Sequence, residues 1–203
     1  MNTELKATTP ASSTGLLARA RDLTDRPAWE RLVAIYEPLL HGWLRRQGVQ
    51  HADAEDLVQG VLSTVAAELQ GFQHNGRTGA FRSWLRAMLV NRLRAFRRSQ
   101  RVRSVCQPDS DLITRLADVL DDPASDLARR WDDDHDRFVA HRLLDRVETE
   151  FQPRTWRAFC RVAVDGADPD QVAEELGISV ASVYAAKSRV LKRLHGEAGG
   201  LLG

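Results

Sequence analysis

Apolar residues recur at helical spacing along almost the whole chain, and no convincing stretch alternates with the period of two that marks a strand. A short helix capped by Ser13 or Thr14 is predicted to run through Leu23. Asp25 followed by Pro27 opens a second helix, because proline is tolerated in a first helical turn. It carries Trp29, Leu32, Val33, Ile35 and Tyr36. Pro38 is expected to break or kink it before helix resumes through Leu39, Leu40, Trp43 and Leu44 and ends at Gly48. A third helix opens with the carboxylates of HADAED, which suit a helix N-terminus, and continues through Leu57, Val58, Val61, Leu62, Val65 and Leu69. The stretch 71–79, GFQHNGRTG, reads as a loop. A fourth helix then carries Phe81, Trp84, Leu85, Met88, Leu89, Leu93 and Phe96 on one face. Further on, Asp168 and Pro169 start a short helix with Val172, Ala173 and Leu176 inward. Gly177 supplies a turn, and Ser179 can cap a last helix that buries Val183, Ala186, Val190 and Leu194.

Charge divides this pattern. Arg77 to Arg103 holds nine arginines and no Asp or Glu, in a chain of formal net charge +1. An apolar stripe flanked by arginines lets a helix pack on a core while facing phosphates, and interleaved aromatics suit unstacked bases. The plain alternative is a solvated basic helix. From Asp109 to Asp136 the balance inverts, to ten Asp against three Arg. That segment reads as an acidic linker with one short helical piece near Leu112 to Leu120, and the swing marks a domain boundary. The predicted fold is all-α: two small helical domains joined by an acidic linker. Residues 1–13 are expected to be disordered, 14–103 to form the first domain, 104–130 the linker and 131–203 the second domain.

Within 168–194 the spacing from Ala173 to Gly177 to Val183 is that of a helix-turn-helix: a small residue at the crossing, a glycine in the turn and an aliphatic residue locking the second helix. A plain helical hairpin is the alternative. In the helix-turn-helix reading Ser182, Tyr184, Ala185, Lys187, Ser188 and Arg189 face a major groove, and Lys192 and Arg193 reach phosphates.

With 203 residues, 43% hydrophobic and 28% charged, the composition is that of an ordinary globular protein. No apolar run approaches a membrane span, and the N-terminal stretch lacks a secretory signal, so a cytoplasmic location without membrane insertion is expected. Cys106 and Cys160 are too few for a disulfide framework or a zinc site. Asp132, Asp133, Asp134 and Asp136 read as a solvated acidic cap rather than a metal site, since consecutive carboxylates splay around a helix. His41, His51, His135, His141 and His195 are scattered and expected to be exposed. No cofactor, metal or catalytic group is expected.

The blocks DAEDLVQGVL (53–62) and GAFRSWLRAMLVNRLRAFRR (79–98), together with the helix-turn-helix, resemble the extracytoplasmic-function sigma factors of bacterial RNA polymerase, within the sigma-70 family. HNGRTGAFRSWLR and SVYAAKSRVLKRL are similar to planctomycete-type members. The resemblance implies a promoter-specificity subunit that is not itself an enzyme. It places Asp53, Glu55, Asp56, Leu57, Gln59 and Leu62 on a face that docks on the β′ clamp helices of core polymerase, with the β flap as a further contact. It places Phe72, His74, Asn75 and Arg77 in a loop that holds a flipped base of the −10 element. Arg82, Arg86, Asn91, Arg94, Arg97 and Arg98 then lie along melted DNA. Ser179, Ser182, Tyr184, Lys187, Ser188, Arg189, Lys192 and Arg193 face the −35 element. An anti-sigma factor or other regulator is a further partner it allows. Two departures stand out: Gly60 where many relatives carry Glu, and Tyr184, Ala185 and Ala186 where many carry Lys, Ser and Arg. The competing readings are a free-standing helix-turn-helix regulator that binds duplex DNA, and a metal-dependent nuclease built on the Asp cluster.

Overall fold

A computed structural model describes residues 15–22, 24–73, 77, 79–103 and 109–202. Every regular element among them is helical, as the periodicity requires: α1 (Leu16–Ala20), α2 (Arg26–Arg46), α3 (His51–Glu68), a 3-10 turn (Leu69–Gly71), α4 (Ala80–Arg103), α5 (Asp109–Asp121), α6 (Asp126–Glu148), α7 (Pro153–Ala163), α8 (Pro169–Leu176) and α9 (Val180–Ala198). Residues 1–13, the cap site Thr14 and the expected helix end at Leu23 lie outside the described residues.

The largest core joins α1 to α6. Leu32, Tyr36, Leu40, Trp43 and Leu44 of α2 meet Leu57, Val61 and Val65 of α3 and Phe81, Leu85, Leu89 and Leu93 of α4, all buried. The stripe foreseen on α4 is therefore core. Pro38 neither breaks nor ends α2, which runs unbroken through it. Both Pro38 and Ala34, whose carbonyl loses its partner four residues on, are exposed, so water can satisfy that oxygen. Gly60 has a packing role. A Cβ there would sit 1.9 Å from Nε of Arg92, so the glycine gives that side chain room to lie against α3.

The acidic segment departs from the linker expectation. Two helices, α5 and α6, fill most of it, and both are anchored: Ile113, Leu116, Ala117 and Leu120 of α5 and Trp131, Val139 and Leu143 of α6 join the main core. The boundary expected at 130/131 falls inside the unbroken helix α6. Trp131 meets Trp43 edge to face, with ring centroids 5.1 Å apart. The far end of α6 belongs to another cluster, in which Val147 packs with Phe159 of α7 and Val190 of α9.

His135 is fully buried rather than exposed. A carboxylate only accepts hydrogen bonds, so Nδ1 carries the proton toward Asp136, at 3.0 Å, and Nε2 accepts from the Tyr36 hydroxyl, at 3.1 Å. Its charged surroundings are Asp132 and Asp136 from α6 and Arg82 from α4. Burial, outweighing the nearby carboxylates, holds the imidazolium pKa below its usual 6.5. The unfolded chain therefore takes up a proton that the folded one refuses. Stability is full above that range and falls as pH drops through it, by at most about 1.4 kcal/mol per pH unit. Thermal melts between pH 7.5 and 5.5 are expected to show a steeper fall for the native chain than for His135→Gln. Parallel curves would refute the assignment.

Candidate functional site

Two surfaces of the main helical body carry the residues singled out from sequence. The first is the groove between α2 and α3, an opening of about 1110 Å³ lined by Trp29, Val33, Pro38, His41, Val58 and Leu62, with Glu37, Glu55, Asp56 and Gln59 around it. The period of α3 explains the arrangement. Ala54, Leu57, Val58 and Val61 point into the core, while Glu55, Asp56 and Gln59 are exposed and Leu62 is half-buried. Leu57 is thus placed under this face rather than on it, since it has no exposed surface. Asp53 is half-buried beside it.

The second surface is the polar side of α4. Asn91 and Arg98 are exposed, and Arg97 is half-buried. Three other arginines are already engaged. Arg82 pairs with Asp132, at 3.4 Å, and closely with Asp136. Arg86 reaches Asp132 at 3.3 Å. Arg94 reaches Asp118 at 3.3 Å and Asp121 at 3.0 Å. Arg82 and Arg86 keep only 17% and 12% of their side-chain surface. The helices α5 and α6 therefore lay carboxylates on guanidinium groups that the sequence reading assigned to DNA.

The loop before α4 is partly placed. His74 and Asn75 lie outside the described residues, and Arg77 is exposed. Phe72 is buried, only 8% exposed. Its ring packs on Phe81 and Trp84, with centroids 5.6 and 4.9 Å away, and the Arg21 guanidinium lies 5.4 Å from its centroid. Phe72 here closes the hydrophobic core instead of offering a free face to a base.

The α8–α9 pair has the anticipated local chemistry. Asp168 caps α8 through the amides of Asp170 and Gln171, Gly177 turns at φ +60°, and Ser179 caps α9 through the amide of Ser182. Val172, Ala173, Val183 and Ala186 are buried together with Ala158 of α7. That leaves Ser179, Ser182, Tyr184, Ser188, Arg189 and Lys192 exposed, with Lys187 half-buried. Arg193 is turned elsewhere: it grips Glu150, at 2.6 Å, and Glu197, at 2.8 Å. The capping and burial that orient α9 were legible; the two glutamates that claim Arg193 were not.

No helix among the described residues is long and apolar enough to cross a membrane. No curated protein matches the chain. Residues 32–103, which span most of α2 and all of α3 and α4, match the family model for Sigma-70 region 2. The groove between α2 and α3 and the arginine face of α4 thus lie in a stretch that is similar to Sigma-70 region 2, the region through which RNA polymerase sigma factors take part in promoter recognition and melting.

Proposed function

We propose that this chain is a sigma factor of the extracytoplasmic-function type, which brings core polymerase to promoters and helps open them. The observation that carries the reading is the two-sided build of the matched domain. An acidic and polar strip, Glu55, Asp56 and Gln59, borders an apolar groove on one side, and an arginine-rich helix runs on another. In this reading the groove takes the β′ clamp helices of core polymerase. The α4 arginines hold the melted −10 strand, aided by the loop with His74 and Asn75, and the exposed positions of α9 meet the −35 duplex, with the β flap supporting that end. Phosphates bind guanidinium groups that carboxylates would otherwise hold, so strand binding has to displace the aspartates of α5 and α6 from Arg82, Arg86 and Arg94.

Asp56→Arg combined with Gln59→Ala changes two exposed residues and is expected to leave the circular dichroism spectrum unchanged. Co-elution with core polymerase in gel filtration should fall at least tenfold, and run-off transcription with it. Full co-elution by the double variant would defeat the docking assignment. A native chain that never co-elutes and binds only duplex DNA would favour a free-standing regulator.

A further inference from the structure

We infer that His41, His51 and Glu55 form a binding site for a divalent transition ion of the zinc class at the mouth of the α2–α3 groove. His41 comes from α2, and His51 and Glu55 from the first turns of α3. Nε2 of His41 and Nδ1 of His51 are 3.1 Å apart, with the rings edge to face. Glu55 stands one helical turn after His51, its carboxylate 3.6 Å from Nε2 of that ring. One donor atom from each residue lies within 4.8 Å of the others. Zinc bonds imidazole nitrogen and carboxylate oxygen at about 2.0–2.2 Å, which in a tetrahedron sets neighbouring donors roughly 3.3 Å apart. The two nitrogens already meet that spacing, whereas the Glu55 carboxylate lies nearer the other ring nitrogen of His51 and has to swing toward the Nδ1 side to become the third donor.

A direct hydrogen bond between the imidazoles also accounts for 3.1 Å. It explains less. The His51 and Glu55 side chains are 66% and 62% exposed. Water competes for such a bond, and its net worth is small. The surroundings also favour a cation: Glu37, Glu55 and Asp56 line the groove, and among the described residues no lysine or arginine lines it. The positive end of α3 works against an ion at this point. Asp53 in the first turn, with Glu55 and Asp56, offsets it. Two imidazoles with one carboxylate suit zinc, nickel or copper better than calcium or magnesium, which prefer all-oxygen shells. Three protein donors on an open surface leave room for water or for a donor from a partner. The ion would tie α2 to α3 across the turn at 47–50 and fix Glu55, one of the residues assigned above to polymerase docking. That last consequence rests on the docking reading; the binding site does not.

Isothermal titration of the full chain with zinc chloride tests the site. One ion per chain is expected, with affinity reduced at least tenfold in His41→Ala and in His51→Ala and severalfold in Glu55→Gln. His141→Ala, an exposed histidine on α6, serves as the control and should titrate like the native chain. Cobalt(II) should give an intense visible band that His41→Ala abolishes. Binding that persists in the His41→Ala, His51→Ala double variant, or no binding at all, overturns the site. Co-elution with core polymerase in zinc-saturated buffer separates the two readings: its absence there counts against docking and leaves the metal site standing.

Discussion

Trp131→Ala is expected to lower the unfolding free energy by about 3–5 kcal/mol, the usual loss when a buried tryptophan is cut to alanine. Trp131 has no exposed surface, and its ring abuts Trp43 in the middle of the main core. Neither indole N–H has a hydrogen-bond partner, so the site is held by packing rather than polar contacts. Trp131→Phe keeps an aromatic edge against Trp43 and removes one unpartnered N–H, and should lose less than half as much. Urea unfolding followed by circular dichroism distinguishes the two. A loss below about 1 kcal/mol for the alanine variant would mean that α6 contributes little to the core, as a linker would.

Asp132→Asn with Asp136→Asn is expected to raise the affinity of the free chain for single-stranded DNA about tenfold. These two carboxylates hold Arg82 and Arg86, and a phosphate must compete with them for the same guanidinium groups. Partly exposed pairs contribute up to about 1 kcal/mol each. Loss of the contacts therefore lowers the cost of strand binding by about 1–2 kcal/mol, and each 1.4 kcal/mol is a factor of about ten. Fluorescence anisotropy with a labelled oligonucleotide at fixed salt reads the effect. Asp126→Asn, whose side chain pairs with Arg129 on its own helix, is the matched control. Equal affinities for the double variant and the native chain would show that the aspartates do not compete with DNA.

The helices themselves were legible because their buried faces repeat with the helical period. A motif match does not carry that facing with it. Leu57 falls within the block that the resemblance assigns to docking, yet the period of α3 turns it inward with Ala54 and Val61. The acidic segment shows where composition misleads. Its ten aspartates describe a solvated linker until their counter-charges are found, and Arg82 and Arg86 lie 54 and 46 residues away from their partners in sequence. His135 was hidden for the same reason, since Tyr36, its hydroxyl partner, is 99 residues distant. Phe72 looked available because it borders a glycine-rich loop, but Phe81 and Trp84 enclose it. His41 and His51 read as scattered at ten residues apart; only the reversal between α2 and α3 brings their nitrogens together.

The helix α6 is one uninterrupted rod of 23 residues, about 34 Å long at about 1.5 Å per residue. One end is seated among Trp43 and Tyr36, and the other holds Val147 against Phe159 and Val190. Such a rod transmits displacement instead of absorbing it. If a duplex held by α9 draws the rod from its seat, the α4 arginines are released in the same motion. Thermodynamic linkage then requires the reverse with equal strength: a strand lodged on α4 must favour duplex capture at α9 by the same factor. On the promoter reading proposed above, the two DNA elements would be read cooperatively, with one helix as the coupling.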